Sequence, residues 1–204
     1  ENQMLSVLAD VQTVFDDEFE NEYIYEASGI YIADDPSKDP WYNINDINAM
    51  LDEFYAVAPT IFSGSNYNVA TLWTSKFTSI LGEVGTAYQA TICNGDQPYN
   101  LCSDFVPGGG RHPFYLTLQA HMLGHNWSMV HDPFTGGTIM GPGPPNGVTL
   151  WSFLSKDALN GYVRDGNYLG NCLDICPNSS APVPDFSSDV TYGCQPVTVK
   201  FKDL

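Results

Sequence analysis

Apolar residues in the first stretch of the chain recur at helical spacing. Met4, Leu5, Leu8, Val11, Phe15 and Phe19 are separated by intervals near three and four, which predicts a helix over residues 4–19 with one buried face. The pattern then changes. Residues 22–33 (EYIYEASGIYIA) are aromatic and β-branched and read as a strand, followed by the turn-rich run DDPSKDP. Asn45 is placed to cap a second helix whose inner side carries Ile47, Met50, Leu51, Phe54 and Val57. Residues 67–74 (YNVATLWT) and 84–92 (VGTAYQATI) predict two more strands, and 94–110 reads as loop. Pro113 suits the first turn of a helix that runs to about Asn126. The irregular stretches DPFTGG and GPGPPNG follow, then a short last helix over 156–163 capped by Ser155. Beyond Cys172 the stretch CPNSSAPVPD has no periodicity and reads as a linker. Helices and strands mixed in this way predict an α/β (α+β) fold.

Composition narrows the class. A chain of 204 residues, 43% apolar, has enough material for one large domain, or one domain plus a fragment. It has no apolar run of 18 residues, so no membrane span is expected. The net charge of −17, from 24 acidic and 7 basic residues, argues against nucleic acid or an anionic membrane as partner, since both need clustered Lys and Arg. The acidity is also compatible with bound Ca2+, but no loop has a calcium-ligand rhythm; a solvated acidic surface is the plainer account. No basic-then-apolar leader stands at Glu1, so a signal peptide or pro-segment is expected to be already removed or never present. Five cysteines (Cys93, Cys102, Cys172, Cys176 and Cys194) form no CxxC pair and read as disulfides of a secreted or extracellular protein, with one left over.

The candidate chemistry lies in His121-Met-Leu-Gly-His125-Asn-Trp-Ser-Met-Val-His131-Asp132. The chain has four histidines, and three fall in this window, which is too concentrated for unrelated surface residues. Four residues advance a helix by about 400°, so His121 and His125 share one face a turn apart. His131 completes a tripod only if the helix ends after His125 and the chain bends back. Three imidazoles and an open fourth position are the ligand set of a catalytic Zn2+ site. A structural zinc module is disfavoured, because no fourth protein ligand lies near the motif. The fourth histidine, His112, opens the helix and reads as a surface or capping residue.

This segment resembles the zinc signature HExxHxxGxxHD of the metzincin metallopeptidases, in particular the reprolysin-like (adamalysin-type) branch. Met140 in Thr138-Ile139-Met140 matches the family's methionine turn beneath the metal. LWTSK and GTAYQATIC resemble its strand-loop-strand. The resemblance spans roughly residues 4–173. It implies a metzincin fold, with a twisted mixed sheet, helices above it and a small lower subdomain carrying the Met-turn. It implies Zn2+ on His121, His125 and His131, and endopeptidase action on a protein or peptide substrate. That substrate would lie extended along an edge strand near Gly85, Thr86, Ala87 and Tyr88. Asp132 and Met140 would be structural at the site, Met140 packing under the ligands and Trp127 beside them.

Two positions depart from the pattern. The family's general-base Glu is Met122 here, and a thioether cannot accept a proton from the attacking water or pass it to the leaving amine. Zinc binding needs no carboxylate there, so the expectation is a metal-binding domain with impaired catalysis. The alternative is a pseudopeptidase that serves as a binding or structural component of an extracellular assembly. Glu83 and Asp132 are weak candidates for a replacement base. The family's turn Gly is Ser128, at a position that usually needs φ > 0.

Family resemblance suggests Cys93–Cys172 and Cys102–Cys176; the local pairing Cys93–Cys102 and Cys172–Cys176 is the rival, and spacing alone does not decide. Residues 184–204 resemble the opening of a PKD, Ig-like β domain, too short for a sandwich. The expected organisation is therefore a metallopeptidase domain over 1–174, a linker over 175–183 and the start of a β domain over 184–204, with further C-terminal domains beyond. Sequons stand at Asn126 and Asn178, and Asn126, inside the metal motif, is not expected to be reachable.

Overall fold

The structure, a computed structural model, describes residues 2–19, 23–77, 82–94, 97–103, 105, 113–133, 137–143, 147–168, 171–173, 186–188 and 201–203. His112, Cys176, Asn178, Cys194 and the expected linker lie outside the described residues. The chain divides into two compact units, Glu1–Leu173 and Asp174–Leu204. The first has mixed α/β structure. Its elements are α1 (Asn2–Phe19), α2 (Ile47–Ile61), β1 (Ala70–Trp73), β2 (Gly85–Ala87), β3 (Tyr99–Cys102), α3 (Pro113–Asn126) and α4 (Phe153–Gly166). In the second unit β4 (Phe186–Ser188) pairs antiparallel with β5 (Phe201–Asp203).

The helices match the apolar periodicities, with shifts that packing explains. The buried face of α1 is Val7, Val11, Val14, Phe15 and Phe19, while Leu5 is left exposed. The face turns because Phe15 and Phe19 pack against Trp151. The cap of α2 is Asp46, not Asn45: its side chain accepts from Ala49 N. Ile47, Met50, Leu51 and Phe54 are buried as predicted, and Ala58 takes the inner position in place of the half-buried Val57. The last helix starts three residues before the predicted span, with Ser152 as cap and its side chain accepting from Ser155 N.

The strands depart further. The sheet runs β1-β3-β2, with β1 parallel and β2 antiparallel to β3. The central strand β3 lies within the stretch predicted as loop. All four of its residues are buried, so it lacks the polar–apolar alternation that would announce it. Residues 23–33, predicted as a strand, form none. Gln12 of α1 takes hydrogen bonds at the start of this segment, accepting from Tyr25 N at 2.7 Å and donating to Tyr23 O at 2.9 Å. Ile24 and Ile32 are left more than half exposed.

α3 lies between the sheet and the rest of the core, with ten of its fourteen residues buried. Such a helix has no solvent face, and its pattern is apolar nearly all round. Gln119, the most polar side chain at its centre, is satisfied by accepting from Trp73 Nε1 and donating to Thr71 Oγ1 on β1.

Candidate metal centre

The end of α3 is set by what receives its last carbonyls. His125 O accepts from Ala90 N, and Asn126 O accepts from Thr91 N and Ile92 N, at 2.9–3.2 Å. Groups that a helix C-terminus leaves unpaired are thus satisfied by the segment after β2. The Asn126 side chain completes the joint. Its Nδ2 donates to Tyr88 O, Thr91 Oγ1 and Tyr99 O, and its Oδ1 accepts from Asn100 Nδ2 at 2.7 Å. Asn126 is fully buried, so this sequon asparagine offers no accessible amide. The sequence reading missed its role as a junction, and only its place at the end of the metal helix hinted at one.

The chain then reverses. Ser128 takes φ 76°, the left-handed conformation that the resemblance implies at this position, and its N–H donates to His125 O at 2.9 Å. A non-glycine residue there costs about 1–2 kcal/mol. The turn brings His131 back over the helix. Its Nε2 lies 3.0 Å from His121 Nε2 and 3.2 Å from His125 Nε2. The three rings bring one ligand atom each within 4.8 Å of one another. Nitrogens about 2.05 Å from a tetrahedral ion stand about 3.3 Å apart, close to the observed spacing.

The other ring nitrogens set the tautomers. His121 Nδ1 donates to Ile139 O at 2.6 Å and His125 Nδ1 donates to Met129 O at 2.9 Å. Each Nε2 therefore presents a lone pair, the state a metal ligand needs. Burial pushes the His121 imidazolium pKa down to about 4, against an upward pull from the Ile139 carbonyl. Burial lowers that of His125 as well. Both rings are held neutral, and the donor set fits Zn2+. His121 is buried and His131 exposed, so the cluster opens to solvent on the His131 side.

The Thr138–Met140 turn supports the cluster from below. It supplies the carbonyl that orients His121, and Met140 O accepts from Asp132 N at 2.7 Å. Met140 is fully buried, and its Sδ lies 2.4 Å from where a Cβ on Gly124 would stand. Only glycine fits on α3 there. Both carboxylate oxygens of Asp132 are engaged, by the hydroxyls of Thr138 at 2.5 Å and Ser152 at 2.6 Å. They tie the metal loop to the cap of α4 and leave Asp132 poorly placed to act as a base. Trp127 is buried, with Nε1 donating to Tyr25 Oη.

Met122 points away from any polar role. It is 5% exposed and clusters with Cys102 and Leu118, against Val84, Ala87 and Phe114. Its Sδ and Cε lie 2.9 Å from a Cβ built on Gly85, so β2 approaches α3 closely because position 85 has no side chain. Glu83 is exposed. Among the described residues no carboxylate joins the three-histidine cluster.

β2 lies at the edge of the sheet. Ser103 N donates to Val84 O and Tyr88 N to Tyr99 O, so the backbone of 84, 86 and 88 faces β3. By alternation, the backbone groups of Gly85 and Ala87 face the open edge.

Cys93 and Cys172 form a disulfide with a Cα–Cα distance of 5.6 Å. Cys176, the partner expected for Cys102, lies outside the described residues. Cys102 is a free, buried thiol donating to Gln119 Oε1, and burial in β3 raises its pKa well above the ordinary thiol range.

No curated protein matches the chain. The sequence model of the family described as metallo-peptidase family M12B, reprolysin-like, matches residues 1–151, a stretch that contains all three metal-site histidines. With about three quarters of its length matched and an imidazole tripod in place at the end of a buried helix, the chain belongs to the reprolysin-like M12B family of metallopeptidases.

Proposed function

We propose that this is a secreted metzincin-type zinc endopeptidase domain whose hydrolytic step is strongly impaired by Met122, and that it acts by holding a protein or peptide in its cleft. One observation carries the reading. The residue after the first ligand is not a carboxylate in contact with the site but a thioether packed into an apolar cluster, while the ligand set beside it is intact. His121, His125 and His131 would hold Zn2+, with Ile139 and Met129 carbonyls fixing two of the rings. When bound, the ion polarises a scissile carbonyl and makes water more acidic. Gly85 and Ala87 offer backbone groups to an extended chain, as in strand addition, and Thr86 and Tyr88 flank them. Thr138–Met140 takes the part of the Met-turn. Secretion accords with the Cys93–Cys172 bond. The tail from residue 184 is read as the opening of a PKD-like domain.

Among the described residues no carboxylate stands at the cluster to move the proton. A positioned general acid–base residue is worth about 10²–10⁴-fold, and here one residue would serve in both directions. Casein hydrolysis by the zinc-loaded protein is therefore expected to be at least about 100-fold slower than by its Met122→Glu variant. Bound zinc, measured on both, should be equal. A parent protein as fast as the variant would refute the impairment. Loss of zinc from neither His121→Ala nor His131→Ala would remove the metal site itself.

A further inference from the structure

We infer that Asp52 on α2 is a specificity-determining residue that selects a cationic side chain on an extended peptide bound along β2. The inference rests on the reading of β2 as the binding edge. β2 presents two different faces. On one, Gly85 and Ala87 meet Met122 and the apolar cluster of Leu118 and Phe114. On the other, Thr86 Oγ1 donates to Asn48 Oδ1 at 3.0 Å and Tyr88 Oη donates to Asp52 Oδ1 at 2.5 Å. Asn48 and Asp52 lie one turn apart on α2 and both are exposed. They form a polar rim beside the edge whose backbone groups, at Gly85 and Ala87, have no sheet partner among the described residues.

A peptide added to that edge alternates its side chains as β2 does. Every second residue lies on the Met122 side, where the wall is apolar. The intervening residues lie on the α2 side, where Asn48 and Asp52 meet them. Tyr88 engages one oxygen of Asp52 and holds the carboxylate at the rim; a guanidinium or ammonium on the peptide completes its set of partners. The matching ligand is an extended segment alternating apolar and basic residues. The chain's net charge of −17 draws such a segment in at long range, but only a fixed carboxylate makes the preference depend on position.

The test uses three fluorescein-labelled decapeptides alternating Leu-Arg, Leu-Gln and Leu-Glu, bound to the whole zinc-loaded chain and read by anisotropy. The expected order of affinity is Arg, Gln, Glu. Asp52→Asn should weaken the Leu-Arg peptide by about 3–5-fold, the range for one exposed ion pair, and leave Leu-Gln unchanged. Asp165→Asn removes the same charge from an exposed site on α4 and should change neither. An Arg-to-Gln ratio unaffected by Asp52→Asn, or affected equally by Asp165→Asn, overturns the inference while leaving the edge as the binding site. If none of the three peptides binds, the edge reading fails and the inference falls with it.

Discussion

His121 and His125 at the metal cluster are governed by tautomer and burial, not by net charge. His121 is almost wholly buried and donates through Nδ1 to Ile139 O, so its Nε2 is free to bind metal only while the ring is neutral. Its pKa lies near 4 in the folded protein, below the ordinary 6.5. The unfolded chain therefore binds the proton first. The stability contributed by the neutral buried ring is complete above pH 6.5 and is lost as pH falls through 4. The shift corresponds to a loss on the order of 3 kcal/mol. Urea midpoints of the metal-free protein should drop steeply between pH 6.5 and 4, and His121→Gln should flatten that drop. An equally steep drop in the variant would refute the assignment. Ser128 is the opposite kind of residue. Its left-handed backbone opposes folding locally, and the reversal that brings His131 to the other rings sustains it.

At the scale of elements, the controlling joint is between the end of α3 and the strands beside it. Asn126 alone engages residues on both sides of the sheet's β2–β3 pair, through Tyr88 O, Tyr99 O and Asn100 Nδ2. Because the α3 carbonyls at His125 and Asn126 are received by Ala90–Ile92, the metal helix and the proposed binding edge form one hydrogen-bonded body. Asn126→Ala would strand buried partners, at a cost of about 2–3 kcal/mol. Chemical denaturation should show that loss, along with weaker zinc retention, since His125 is the next residue. A change under 0.5 kcal/mol would mean that the joint is not structural. Gly85 and Gly124 play matching parts on the two faces of α3, each admitting a methionine side chain where a Cβ would collide.

Across the whole first unit, the Cys93–Cys172 bond spans a sequence separation of 79 residues and connects the segment after β2 to the stretch that follows α4. A bridge closing so long a loop typically contributes 2–4 kcal/mol. Replacing both cysteines with alanine should lower stability by about that amount while leaving zinc stoichiometry at one, because the three ligands all lie on α3 and the turn directly after it. Loss of metal binding in the double variant would show that the bridge holds the tripod together. The Asp132 carboxylate, held by Thr138 and Ser152, provides a second tie between the metal loop and α4.

The sequence by itself determined the metal site and most of the helices. Four-residue spacing on a helix is fixed geometry, so His121 and His125 had to share a face, and Asp132 and Met140 stood at family positions beside them. It also determined that position 122 carries no proton-transfer group. Tertiary structure decided the sheet. β3 was invisible because a strand covered on both faces loses its alternation. Residues 23–33 have strand-like residues but pair with no strand among the described residues, and Tyr23 O and Tyr25 N bond to Gln12 instead. Cys102, one of five cysteines, is a buried thiol on the central strand. Long-range contacts settle such questions because strand pairing and disulfide choice depend on which distant segment arrives, whereas a helix and its ligand spacing are written within a few consecutive residues.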